Sequence, residues 1–268
     1  MADYRVLQWS GPFDGPWSDA AEKRYREGEF DGLILSPSST WTPSDLDFLL
    51  RLPGLRLFSL QAKVKNDLAA FAVPSLEELA LVTGSRLGVR DVVQPRLRDL
   101  VLTDRPGIKV SLHWPRLESF KLGMWRGTDL QMLDGATRLR RFHVEGRRQA
   151  GSLTGVESCD SLESLQTVGY SIKDTAPLRG LKSLSELRMM AAHPTGPHGI
   201  IDISDLSRSR LTRLWISNAA SIRQLQMLAD FPSLREVRLI DCRLLAADWQ
   251  FLDILSARVK VQVINAKQ

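Results

Sequence analysis

A short pattern, apolar-x-x-apolar-x-apolar, recurs along this chain at an almost fixed interval, and no other feature restricts its fold as much. Three copies each follow a proline: Leu76/Leu79/Leu81 after Pro74, Leu97/Leu100/Leu102 after Pro95, and Leu117/Phe120/Leu122 after Pro115. Earlier copies stand at Phe30/Leu33/Leu35 and Leu55/Phe58/Leu60. Later ones stand at Leu139/Phe142/Val144, Leu162/Leu165/Thr167, Leu184/Leu187/Met189, Leu211/Leu214/Ile216 and Leu234/Val237/Leu239, with a looser one at Val261/Val263. From Leu55 onward the steps between first positions are 21, 21, 20, 22, 23, 22, 27 and 23 residues. A period in the low twenties marks a stack of similar units, each too small to bury its own apolar side.

The last two apolar positions alternate with period two, so each copy predicts a short strand with those side chains inward. The residue between them must point the other way. Stacked in parallel, the copies then form columns on the outer face. The central column reads Ile34, Ser59, Ala80, Val101, Lys121, His143, Gln166, Arg188, Trp215, Arg238. The column two residues earlier includes Leu57, Glu78, Asp99, Arg141, Glu186, Arg213 and Glu236.

Stretches such as Pro177-Leu178-Arg179-Gly180-Leu181-Lys182-Ser183-Leu184-Ser185-Glu186-Leu187-Arg188-Met189 resemble the short, roughly 22-residue class of the leucine-rich repeat family. The resemblance covers roughly residues 30 to 265. It implies an α/β leucine-rich repeat solenoid. A curved parallel sheet would form its concave face, with short helices, single turns and extended segments on the convex face. It also implies a cytosolic, bacterial-type binding module. The family usually carries Asn or Cys three residues after the last strand Leu, capping backbone groups of the turn. Here those positions are Lys63, Gly84, Arg105, Trp125, Arg147, Tyr170, Ala192, Ala219 and Cys242. Only Cys242 fits, so the turns must find other hydrogen-bond partners.

No Gly/Ser/Pro-rich linker interrupts the repeats, which predicts one domain. Residues 1–29, a strand over 4–9 and a helix from Ser18 to Glu27, are expected as an N-terminal cap. Repeats occupy 30–245, and a helix over 247–255 with a strand over 258–264 makes a C-terminal cap within 246–268. No transmembrane stretch and no signal-like leader is visible. The two cysteines, Cys159 and Cys242, are far apart in the repeat order and should not be bridged. Together with the missing Cys-rich caps of extracellular relatives, this places the chain in the cytoplasm, expected as a monomer. The net charge of +5 permits nucleic acid or an acidic protein as partner, but a mild excess spread along a long chain is more often a solvated surface.

Between the strands, Ser44 followed by 45–52 reads as a helix, and Thr128/Gln131 and Ser221/Gln224 read as capping boxes. Arg90 to Val93 and Ile108 to Leu112 read as extended or single-turn segments. The longest step contains 191–199, expected as a Pro/Gly loop with exposed His193 and His198, with a flexible lip on the binding face as the alternative. Their spacing to Asp202 matches no zinc signature, and no metal or cofactor is expected. No phosphate loop, dinucleotide fingerprint, zinc-protease motif or nucleophile elbow is present, and Cys159 reads as a small buried apolar residue. An enzyme is not expected.

Function is therefore expected on the concave face. Its first copies are apolar with two acids. Its later copies present Lys121, Arg141, His143, Arg188, Arg213, Trp215 and Arg238, and these are the candidate partner-binding residues. Arg and Trp dominate binding energy at interfaces. The expected partner is a protein with an acidic or mixed surface, and by analogy of fold the chain could be an immunity or antitoxin-type inhibitor. The alternative is nucleic-acid binding through the basic half, against which stand few aromatics and interrupting acids. In the plainest alternative, Arg188, Arg213 and Arg238 only pair with Glu186 and Glu236.

Overall fold

The repeat pattern becomes strands wherever it occurs. The computed structural model describes residues 3–38, 41–89, 92–191 and 198–266, with backbone only at 147–149. Residues 192–197 of the expected loop, Arg90 and Asp91 of an expected extended segment, and the Ala192 turn position lie outside the described residues. Two compact units emerge, residues 1–123 and 124–268.

In the first unit the strands are β1 (Val6–Ser10), β2 (Gly32–Ser36), β3 (Leu57–Gln61), β4 (Glu78–Val82), β5 (Asp99–Thr103) and β6 (Ser119–Trp125, crossing the unit boundary). They pair in parallel and in sequence order. The register aligns Leu33, Phe58, Leu79, Leu100 and Phe120, all buried. Fully burying such a side chain stabilises by about 1.5–3 kcal/mol, so the column holds the unit together. The prolines have a positional role. Each is the second residue of a four-residue turn closed by a backbone bond, from Leu76 N to Val73 O (3.5 Å), Leu97 N to Gln94 O (3.4 Å) and Leu117 N to Trp114 O (3.0 Å). Proline presets the backbone there and has no N–H to lose.

In the second unit the strands are β7 (Arg141–Gly151), β8 (Ser164–Ile172), β9 (Glu186–Met190), β10 (His198–Asp202), β11 (Arg213–Ser217), β12 (Ala219–Arg223), β13 (Glu236–Ile240) and β14 (Lys260–Ile264). The main sheet runs β7-β8-β9-β11-β13-β14, all parallel. Its inward column of Phe142, Leu165, Leu187, Leu214 and Val237 is buried. β10 and β12 form a second parallel pair, His198 opposite Ala219 and Ile201 opposite Ile222. The far ends of β7 and β8 pair beyond a register shift between Glu145 and Gln149. Each unit is thus a leucine-rich-repeat stack of α/β class.

The return segments differ from the sequence expectation in kind. Residues Asp47–Arg51, Leu68–Ala72, Gln131–Leu133, Val156–Ser158, Ala176–Leu178, Ile203–Leu206 and Leu225–Asp230 are 3-10 turns. The expected α-helix over 45–52 is one of them. A 3-10 turn advances about 2.0 Å per residue against 1.5 Å for an α-helix, so it covers the return path with fewer residues. The capping box at Thr128/Gln131 does not form; Asp129 Oδ1 instead accepts the Gln131 N–H at 3.1 Å. The same two-residue device starts the turns after Asp45, Asn66, Asp174 and Asp202. At Ser221/Gln224 the box is overruled by pairing, since Ser221 lies in β12 opposite Ile200. After the short α1 (Gly11–Asp14), Ser18 precedes α2 (Asp19–Glu27) but makes no side-chain cap. Ile108 to Leu112 does give a single turn, α3 (Val110–His113), and the C-terminal helix and strand are present as α4 (Ala246–Leu255) and β14.

The turns lacking the family's Asn find other partners. His113 bridges the carbonyls of Val92 (2.7 Å) and Gly107 (2.9 Å). The Gln94 amide donates to Ala70 O and Val73 O. Tyr170 donates its hydroxyl to Ser152 O at 3.0 Å. Cys242 reaches Ile216 O and Ile240 O. At Arg105 the substitute is ionic. Its guanidinium pairs at 3.0 and 2.8 Å with both Asp67 oxygens, one of which also accepts the Thr83 hydroxyl, and both charged side chains are fully buried. His198 is not an exposed loop residue. It is buried in β10 and accepts the Ile172 N–H on Nδ1 at 2.9 Å. Both cysteines are buried and unbridged, and burial pushes the Cys159 thiol up to about 12.

Substitution at these buried polar groups should be costly. Asp67→Ala strands a buried guanidinium and should cost about 3–5 kcal/mol in chemical denaturation, whereas removing both partners with apolar replacements should cost much less. For His198, burial lowers its pKa to about 4, below the unfolded value near 6.5. The unfolded chain therefore binds more protons between these values, and stability falls as pH drops from 6.5 toward 4, by on the order of 3 kcal/mol. A His198→Gln variant should show a flatter pH–stability curve over that window.

Candidate functional site

Side chains that alternate away from the core leave one open sheet face on each unit, and the register decides which residues meet there. On the first unit, Ile34, Ser59, Ala80, Val101 and Lys121 stand in one column. Ile34, Leu57, Ala80 and Val101 are half-buried and line a depression of about 220 Å³ together with Glu78 and Asp99. Tyr4, from the segment before β1, lies beside Glu78. Burial and then the Glu78 and Glu77 charges raise its pKa, and the Arg56 guanidinium sits over its ring at 5.0 Å. Lys121 is exposed in β6 opposite Val101.

On the second unit the central column runs His143, Gln166, Arg188, Trp215, Arg238, Gln262. Here four of the expected residues come together. The Trp215 ring lies between two guanidiniums, Arg188 Cζ 3.8 Å and Arg238 Cζ 4.3 Å from its centroid. Two carboxylates from the column two residues earlier hold them. Glu186 pairs with Arg188, whose Nε lies 2.7 Å away, and with Arg213 at 3.6 Å. Ser164 Oγ also donates to Glu186 at 3.3 Å. Glu236 pairs with Arg238 at 3.5 Å and with Lys260 at 3.7 Å. Each carboxylate is thus shared by two cations, and four cations face two acids. The Trp215 indole N–H and the Arg238 Nε–H are buried without an acceptor. Beside this stack Thr212, Arg213, Arg235, Glu236 and Lys260 line a depression of about 570 Å³.

The remaining expected residues lie outside the stack. His143 is half-buried, its Nε2 3.3 Å from Glu145. Arg141 is exposed opposite Ser164. Lys121 belongs to the first unit. Lys260 and Arg235 escaped the sequence reading. For Lys260 a signal existed: it immediately precedes Val261, so the loose last copy places it in the Arg213/Glu236 column, where the register finds it.

Among the described residues no group of three or more His, Cys, Asp or Glu side chains could hold a metal ion, and no helix is long and apolar enough to cross a membrane. No family model and no curated protein matches the chain. Among solved structures it is similar to internalin C2 (inlC2) from Listeria monocytogenes str. 4b F2365, at 15% sequence identity, with 78% of this chain and 77% of that chain covered and a TM-score of 0.44. The repeat fold stands on the strand register and the burial pattern themselves.

Trp215→Leu removes both cation–π contacts while keeping an apolar side chain on the strand. Each contact is worth about 0.5–2 kcal/mol, so the variant should unfold about 1–4 kcal/mol more easily in a denaturant titration. A variant as stable as the parent would show that the stack is not a stabilising unit.

Proposed function

We propose that the chain is a non-catalytic protein-binding module that engages an acidic or mixed surface of a partner protein through the open face of its second unit. The observation that carries this reading is the Trp215 sandwich with its shared carboxylates. Glu186 and Glu236 cannot neutralise Arg188, Arg213, Arg238 and Lys260, so a partner carboxylate finds cations already ordered. Ordered side chains lose less rotamer freedom on binding. Arg and Trp are also the residue types that anchor interfaces. The pairing expected as the plainest alternative is present, yet it leaves this excess of cations.

Nucleic acid is the weaker reading. Base stacking needs an open aromatic face, and both faces of Trp215 are already covered by guanidiniums. Arg141 and His143 belong to the proposal as flanking contacts, with a smaller share of the energy, whereas Lys121 stands on the first unit's face. The module acts as a monomer in the cytoplasm, a compartment that fits its two unbridged cysteines. In the most specific form of this reading the partner is a toxin whose active site the face covers. Co-expression would then restore growth of cells that make it.

The test is capture from the native host lysate with nuclease-treated controls. A partner held by the parent chain should be lost, at least about tenfold in affinity, from Arg188→Glu/Arg213→Glu/Arg238→Glu. Equal retention by a folded triple variant contradicts the surface assignment. Captured nucleic acid that disappears with nuclease and salt contradicts the protein-binding reading.

A further inference from the structure

The depression beside the Trp215 sandwich carries more positive charge than the sandwich itself uses. Three cationic side chains, Arg213, Arg235 and Lys260, line it with Thr212 and a single acid, Glu236. The register sets Arg213 beside Glu236 and Glu236 beside Lys260. Arg235 comes one residue earlier, on a rim where Glu163, Ser185, Thr212 and Arg235 precede successive strands. The N–H of each of the last three donates to the carbonyl of the one before it. The nearest acid along this rim, Glu163, is therefore three levels back from Arg235, and it pairs with Arg140 at 3.2 Å.

All three cations are open to solvent. The Arg213 and Lys260 side chains are 51% and 63% exposed, and Arg235 is exposed as well. Their ties within the chain are slight. Arg213 reaches Glu186 only at 3.6 Å and Lys260 reaches Glu236 only at 3.7 Å. The same carboxylates also hold Arg188 and Arg238. Among the described residues the Arg235 side chain makes no hydrogen bond and no ion pair. It adds a further cation to the four that already face two acids.

We infer that this depression receives a phosphorylated side chain of the partner. The inference rests on the protein-binding reading and names the group that the partner presents. A lone carboxylate carries one charge and is satisfied by one guanidinium. A phosphate monoester carries about two charges and three acceptor oxygens, which suit several converging donors. Arginine clusters bind phosphorylated side chains in this way. A nucleic-acid backbone needs a continuous cationic track. Here Glu186 and Glu163 interrupt the track on one side, and β14, the last strand of the sheet, ends it on the other.

The probes are two glutamate-rich peptides that differ at one central position, phosphoserine in one and glutamate in the other, titrated into the full chain by calorimetry. The glutamate form reports on the protein-binding reading, and the difference between the forms reports on this inference. The phosphoserine form should bind about tenfold more tightly. Arg235 makes no side-chain contact that the fold would lose, so Arg235→Gln should melt like the parent. That variant should reduce the phosphoserine preference about fivefold and leave the glutamate form nearly unchanged. Equal binding of the two peptides overturns the inference and leaves the protein-binding reading standing. An undiminished preference in the folded Arg235→Gln variant also overturns it, as does a phosphoserine peptide that does not saturate. A single-stranded oligonucleotide that displaces the phosphoserine peptide at matched phosphate concentration assigns the depression to nucleic acid instead.

Discussion

Parallel, in-register pairing is the constraint on which everything else in these units depends. Once Leu79 stands beside Leu100 and Leu187 beside Leu214, every neighbouring position is fixed as well. A slip of one residue would turn each inward leucine to solvent and each outward charge into the core. The register therefore has a single energetic optimum in each unit. The same rule that buries the apolar column lays Arg188, Trp215 and Arg238 side by side on the open face. The proposed binding surface is a by-product of the core's geometry.

The second requirement is that the turns between strands satisfy their backbone groups. A regular leucine-rich repeat can meet it with one repeated polar side chain. This chain meets it differently at each level, with His113, Gln94, Tyr170, His198, Cys242 and the Asp67–Arg105 pair. Buried polar groups offset their desolvation only when paired, so each of these is individually sensitive to substitution. Such one-off solutions also explain the uneven return side, with single turns in one repeat and the β10–β12 pair in another.

Strand positions, the inward column and the composition of the open face were legible in the sequence because period-two alternation is dictated by backbone geometry alone. Leu33 through Val237 are placed by the pattern, and Trp215 falls between Arg188 and Arg238 as its column requires. The return segments were not legible in the same way. Thr128/Gln131 and Ser221/Gln224 carry the residues of a capping box, but Asp129 competes for the same N–H at one site and β10 claims the backbone at the other. His198 read as a loop residue because its strand forms through pairing with β12 and a bridge from Ile200 to Asp174, contacts between distant segments. Lys260 was hidden by a weak last repeat. The sharing of Glu186 and Glu236 between two cations each is a matter of side-chain conformation that spacing alone does not set.

The central claim is that the ordered Arg–Trp–Arg stack is where an acidic partner lands. It is tested most directly by side-chain NMR, following the Trp215 indole N–H and the Arg238 Nε–H, both without acceptors in the free chain. A glutamate-rich peptide, and then any captured partner, would be titrated in. The account predicts saturable shifts at Trp215, Arg188, Arg213 and Arg238, abolished by high salt for the peptide, with the first unit's signals unmoved. Unchanged Trp215 and Arg238 signals alongside saturable shifts elsewhere would contradict it.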